Sequence, residues 1–120
     1  MARILLAEDD ESLRRFLVGA LGKAGHEVSD FGQGDDAFEH LKGHKFDLLL
    51  TDIVMPGMDG IELARRAAEF DPVMKIMFIT GFAAVALNPA NQAPRDAKIL
   101  SKPFHLRDLV QEIERALEAA

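Results

Sequence analysis

Five polar side chains stand just past short apolar runs: Glu8 and Asp9 after Ile4–Ala7, Asp52 after Phe46–Leu50, Thr80 after Ile76–Ile79, and Lys102 after Ile99–Leu100. If the fold gathers the three acids within a few ångströms, they cannot all stay ionised without compensation. A divalent cation and Lys102 would supply it. Hard oxygen donors with no His or Cys beside them favour Mg²⁺, which keeps waters and shares its shell with phosphate. A carboxylate so placed can attack phosphorus and form an aspartyl phosphate. The metal would neutralise incoming phosphoryl oxygens, while Lys102 pairs with one and the Thr80 hydroxyl donates to another.

The elements that must position these groups follow from the hydrophobic period, which switches repeatedly along the chain. Ile4–Ala7 is too brief for a helix, and Phe46–Leu50 has the near-continuous apolar character of a strand covered on both faces. Val28 and Phe31 mark a weaker second strand; Ile76–Ile79 and Ile99–Leu100 predict two more buried ones. Between them, Leu13, Phe16, Leu17, Ala20, Leu21 and Ala24 repeat at helical spacing and stop at Gly25. Ala37, Phe38 and Leu41 line a short second helix ending near Gly43, and Ile61, Ala64, Ala67 and Ala68 a third. Leu106, Leu109, Val110, Ile113 and Leu117 form the stripe of the last helix. Such alternation predicts right-handed βαβ units: an α/β fold with a five-stranded parallel sheet, order 2-1-3-4-5, and helices on both faces. In that order the first and third strands are neighbours, so Glu8, Asp9 and Asp52 converge beyond their carboxyl ends. A helix is due between the fourth and fifth strands, but Pro89 and Pro94 interrupt it. Each removes a backbone donor and disfavours the helical state of the residue before it, which predicts a shortened or irregular element, such as one turn at Pro89.

Composition narrows the function classes. The 120 residues carry 20 acids against 14 Lys plus Arg, a formal charge of −6, and no cysteine. This is the length of one domain, 1–120, with no output domain expected. The acid excess and the lack of clustered Lys and Arg argue against nucleic acid as a partner. Without cysteine there is no disulfide framework, thiolate zinc site or cysteine nucleophile, which fits a reducing compartment. Charges at Arg3, Glu8, Asp9, Asp10 and Glu11 leave no signal-peptide core, and no apolar run approaches the roughly 20 residues of a membrane helix. A cytoplasmic location without membrane insertion is expected.

The segments Ile4-Leu5-Leu6-Ala7-Glu8-Asp9-Asp10, Asp47 through Gly60 (DLLLTDIVMPGMDG), Ile79-Thr80-Gly81 and Leu100-Ser101-Lys102-Pro103-Phe104 occur in one order over the whole chain. Together they resemble the receiver domain of bacterial two-component response regulators, the CheY-like family. The resemblance implies that Asp52 is the phosphoacceptor, Asp9 a direct Mg²⁺ ligand, Glu8 a ligand through water, and the Val54 backbone carbonyl the remaining protein ligand. It further implies that Thr80 and Lys102 contact the phosphoryl group, that the Lys102-Pro103 bond is cis, and that a histidine kinase or histidine phosphotransferase supplies the phosphate. The chain's own chemistry would then be self-phosphorylation and slow hydrolysis, not enzymatic turnover.

A finer resemblance, in Met77–Val85 and Leu100–Leu109, is to stand-alone receivers of alphaproteobacterial cell-cycle proteolysis. It implies an adaptor for the ClpXP protease and its substrates, active unphosphorylated and switched off by phosphorylation. The alternative is a phosphorelay intermediate passing phosphate to a histidine phosphotransferase. An aspartyl-nucleophile phosphatase would need a second acid two residues after the nucleophile, where Val54 stands.

Plainer roles suit several other residues. Asp10 and Glu11 are acids favoured at a helix N-terminus, Asp59-Gly60 is a turn and helix start, and the methionines fill the core. His105 is a surface or capping residue, and Ala119-Ala120, though it resembles a tail read by ClpX-type unfoldases, is more simply a helix running out in alanines. Two positions depart from the family pattern. The aromatic switch position three residues before the conserved lysine holds Ile99, with Phe82 or Phe104 as partial substitutes, and the prolines break the helix that usually belongs to the output face.

Overall fold

The computed structural model describes residues 1–81, 88–94 and 96–118. The order is β1 (Arg3–Ala7), α1 (Glu11–Lys23), β2 (Glu27–Phe31), α2 (Gly34–Leu41), β3 (Leu48–Thr51), α3 (Gly60–Phe70), β4 (Lys75–Thr80), β5 (Lys98–Ser101) and α4 (Leu106–Glu118). All four strand pairings are parallel, in the order β2-β1-β3-β4-β5. The expected α/β architecture is therefore present.

Strand alternation divides the core between the two faces of the sheet. Leu5, Leu49, Ile76 and Phe78 pack with Ala37 and Leu41 of α2 and with Leu63, Ala64 and Ala67 of α3. Ile4, Leu6, Leu48, Leu50, Met77 and Ile79 pack on the other side with Leu17 and Leu21 of α1 and with Leu109, Ile113 and Ala116 of α4. The central strands β1 and β3 are buried on both faces, hence their unbroken apolar runs. Of the methionines, Met55, Met74 and Met77 are buried in this core.

Local chemistry sets the helix ends that matter for the site. Asp10 caps α1, its Oδ1 accepting the Leu13 N–H at 2.9 Å. Asp59 caps α3 the same way, accepting from Glu62 N at 2.8 Å. Each satisfies a donor that the first helical turn leaves without a partner. Gly25, at φ +95°, ends α1 as expected; a side chain would resist that backbone conformation. The carbonyl of His105, just before α4, accepts from Leu109 N at 3.1 Å, in keeping with its expected place at the helix start.

Between β4 and β5 the described residues form a single 3₁₀ turn, Pro89–Asn91, initiated by Asn88, whose Oδ1 accepts from Ala90 N at 3.0 Å. This is the shortened element the prolines predict. Phe82, the Phe82–Val85 part of the finer resemblance, and Ala119-Ala120 lie outside the described residues. One expectation needs correction: β5 is not a buried strand. Ile99 and Leu100 are only half-buried and Lys98 and Ser101 are exposed, because β5 is an edge strand paired to β4 alone. β3 also begins two residues later than its apolar run, at Leu48, with Phe46 buried ahead of it.

Candidate functional site

Parallel pairing of β1 with β2 and β3 delivers the acids to one corner. Register places Ala7 opposite both Phe31 and Thr51, so Glu8 and Asp52 leave the sheet side by side. The ladder continues one bond further at each: Glu8 N–H donates to the Phe31 carbonyl and Asp52 N–H to the Ala7 carbonyl, both at 3.0 Å. One carboxylate oxygen from each of Glu8, Asp9 and Asp52 lies within 4.8 Å of the other two. Glu8 is buried and Asp52 nearly so, whereas Asp9 is exposed. The sequence expectation that these three converge is met.

Lys102 reaches the cluster from the far end of the chain. Its Nζ donates to Asp52 Oδ2 at 3.0 Å and to Glu8 Oε1 at 3.2 Å. The second oxygen of each acid is also bonded: Asp52 Oδ1 accepts from Ile53 N at 2.7 Å, and Glu8 Oε2 from Asp10 N at 3.0 Å. Lys102 is itself held by its backbone, whose N–H donates to the Thr80 carbonyl at 2.8 Å, continuing the β4–β5 pairing of Thr80 with Ser101. The Lys102-Pro103 bond is cis, as expected. Thr80 is buried at the end of β4. Val54 follows Asp52 in the loop and is 55% exposed. Ile99 stands opposite Phe78 in the sheet, packed against the α2–α3 side of the core, while Phe104 packs on the α1–α4 side.

Electrostatics follow from the burial. Loss of water raises the Glu8 carboxyl from 4.5 to about 7, and the Asp52 charge adds to the rise; the Asp10 N–H and Lys102 oppose it. Burial works to lower Lys102, but its hydrogen bond to Asp52 and the charges of both acids outweigh it and hold the ammonium above its ordinary value. Three hard oxygen donors, one of them costly to ionise alone, fit an oxygen-seeking divalent cation with a nucleophilic carboxylate beside it.

Three supporting residues escape a reading of the sequence. Gly60 opens α3 so close to the Asp52 loop that a Cβ there would sit 1.8 Å from the Asp52 carbonyl oxygen; the Gly60 N–H donates to Ile53 O at 2.8 Å. Asp35, in the first turn of α2, accepts from Met58 N at 2.7 Å and so ties the β3–α3 loop to α2. Arg14 of α1 donates to the Glu8 carbonyl at 2.8 Å. The Gly after Asp59 leaves a local trace; Asp35 and Met58 lie far apart in sequence, and Arg14 meets Glu8 across the turn from β1 into α1.

The response regulator receiver domain family matches residues 4–114. Across 120 residues the chain is 72% identical to the response regulator receiver protein CpdR of Brucella abortus (strain 2308), covering 100% of both. It is 36% identical over 121 residues to the sensor kinase CckA of the same strain, spanning 98% of this chain and 13% of that protein. Among solved structures, a CheY-like receiver domain from Methanospirillum hungatei superposes with a TM-score of 0.89 at 31% identity, covering 98% of this chain and 94% of that one. The Thermotoga maritima response regulator TrrA, crystallised with Mg²⁺ and BeF, gives 0.87 at 25% identity, covering 97% and 99%.

Proposed function

The chain belongs to the response regulator receiver family, and from that premise we propose that it is a regulator switched by phosphorylation of Asp52 with Mg²⁺ at the acidic corner. The observation that carries the reading is Lys102 Nζ bridging Asp52 and Glu8 while the Asp9 carboxylate stands within 4.8 Å of both acids. The Asp52 carboxylate is the nucleophile: an Asp52 oxygen bonds to phosphorus as the bond to the donor's leaving group breaks, giving an aspartyl phosphate. Lys102, already at Asp52 Oδ2, pairs with a phosphoryl oxygen that takes up charge there. The Thr80 hydroxyl, at the end of β4, is the proposed donor to another. Asp9, Glu8, Asp52 and the Val54 carbonyl would hold Mg²⁺, which when bound neutralises charge on the phosphoryl oxygens.

Incubation with acetyl phosphate and Mg²⁺ should add one base-labile phosphate. Asp52→Asn should remove it, and persistence of the modification in that variant would sink the assignment.

The 72% identity to CpdR over its full length supports a finer reading. The phosphate donor is a histidine kinase or phosphotransferase in the cytoplasm, and the output is docking of this domain on other proteins. The partner proposed is the ClpXP protease with its substrates, engaged by the unphosphorylated form in cell-cycle control. Pull-down with wild type and Asp52→Ala should retain the unfoldase; retention by neither variant removes the adaptor reading and leaves the receiver reading standing. Likeness to a stretch of the sensor kinase CckA favours a second reading, a phosphorelay intermediate. Transfer of ³²P from the phosphorylated protein to a histidine phosphotransferase would select it.

A further inference from the structure

Arg14 lies outside the residues that would touch metal or phosphate, yet it makes two directed hydrogen bonds beside them. Its Nη1 donates to the Glu8 backbone carbonyl at 2.8 Å, and its Nε donates to Asp30 Oδ2 at 3.2 Å. The side chain is only 21% exposed, though it belongs to a surface helix. Room for the guanidinium depends on Gly32, where a Cβ would come within 2.8 Å of Arg14 Nη1. Thus a planar, two-pronged donor spans from α1 to the end of β2 and touches the residue that follows β1 on the way.

The carbonyl it holds belongs to the peptide between the two acids Glu8 and Asp9. Beyond Ala7 that peptide has left the β1 ladder, so its orientation is no longer dictated by strand pairing. Glu8 is otherwise held at its N–H by Phe31 and at its carboxylate by Asp10 and Lys102. Asp9 is different: among the described residues its carboxylate makes no hydrogen bond or ion pair, and its side chain is set only by the backbone that carries it. We infer that Arg14, anchored by Asp30, is a positioning residue that orients the Glu8–Asp9 peptide and thereby the Asp9 carboxylate toward the cation.

This inference rests on the metal-dependent reading of the acidic corner, and it makes a prediction of opposite sign to plain electrostatics. A guanidinium beside a cation site repels the cation, so its removal should tighten Mg²⁺ binding if Arg14 acts only through charge. If it orients a ligand, its removal should weaken binding, as loss of groups that hold metal ligands commonly does by 10–100-fold.

The test is isothermal titration of Mg²⁺ into wild type, Arg14→Met, Arg14→Lys and Asp9→Ala, with amide NMR shifts of residues 8–10 followed in parallel. Expected is a Kd raised about tenfold in Arg14→Met. Arg14→Lys should be at least as weak, because it keeps the repelling charge but replaces the rigid two-pronged fork by a single nitrogen on a flexible stem. Shifts at Glu8 and Asp9 should change in both variants before any metal is added. Binding by Arg14→Met as tight as wild type or tighter, or full affinity in Arg14→Lys, would overturn the inference while leaving the site intact. Failure of wild type to bind Mg²⁺, or full binding by Asp9→Ala, would instead remove the reading of the site itself and the inference with it.

Discussion

Replacing Gly60 by Ala sets two opposed effects against each other at the start of α3. Helix propensity favours Ala over Gly by about 1 kcal/mol in a helix interior, and less at a first-turn position. Packing opposes it. A Cβ at residue 60 would lie 1.8 Å from the Asp52 carbonyl oxygen, 2.8 Å from its carbonyl carbon and 2.9 Å from Ile53 Cα. All three are backbone atoms, so no rotamer change relieves the overlap. To reach 3.0 Å the carbonyl oxygen must retreat by about 1.2 Å, and that movement strains the Thr51 Oγ1 bond to the same oxygen at 2.8 Å and the Gly60 N–H bond to Ile53. Overpacking of this kind costs about 1–3 kcal/mol, so Gly60→Ala should be destabilised by about 1–2 kcal/mol net, a fall in Tm of about 4–8 °C at this size. The displaced peptide carries Asp52, so Mg²⁺ binding should weaken by about tenfold as well. Gly19→Ala in the exposed middle of α1 is the matched control, because a Cβ there meets nothing within 4 Å. It should gain about 0.5–1 kcal/mol with Mg²⁺ binding unchanged. Far-UV circular dichroism during urea and thermal unfolding, with titration calorimetry for Mg²⁺, reads both effects in a chain without Trp or Tyr. Equal stabilisation by both substitutions, with Mg²⁺ affinity intact in Gly60→Ala, would refute the argument from close approach.

Three further outcomes are expected. Because the Glu8 carboxyl is raised from 4.5 to about 7 in the fold, the native state keeps a proton that the unfolded chain has lost between those values. Metal-free stability should therefore fall by about 3 kcal/mol as pH climbs through that window, and Glu8→Gln should flatten the dependence in urea titrations run at several pH values. Removing the bridging ammonium in Lys102→Met should destabilise the metal-free protein by about 1–3 kcal/mol, tempered by the side chain's 28% exposure. The same variant should bind Mg²⁺ more tightly yet yield less aspartyl phosphate by mass spectrometry; unchanged phosphorylation would remove Lys102 from the phosphoryl contacts. Asp59→Ala should cost about 1 kcal/mol through loss of the α3 cap, measured as a lower urea midpoint with an unchanged slope.

The amino-acid sequence alone dictates the alternation of strands and helices, because a doubly covered strand and a one-sided helix impose different apolar periods on neighbouring residues. It also determined which acids could meet, since parallel βαβ connections place every strand's carboxyl end on one side of the sheet. Glu8, Asp9, Asp52, Thr80 and Lys102 were legible for that reason, as was the interruption at Pro89, which acts through the residue's own missing N–H. The rest comes from packing between elements. β5 is half-exposed because it is an edge, and edge or centre is a matter of neighbours that no local pattern records. The Glu8 carboxyl rises because β1 is covered on both faces, and Lys102 stays charged because two acids close on it from residues 50 and 94 positions away. Arg14, Asp35 and Gly60 acquire their roles the same way: each is an ordinary helix residue in the chain, given meaning by a backbone atom of a strand-end loop that packing brings against it.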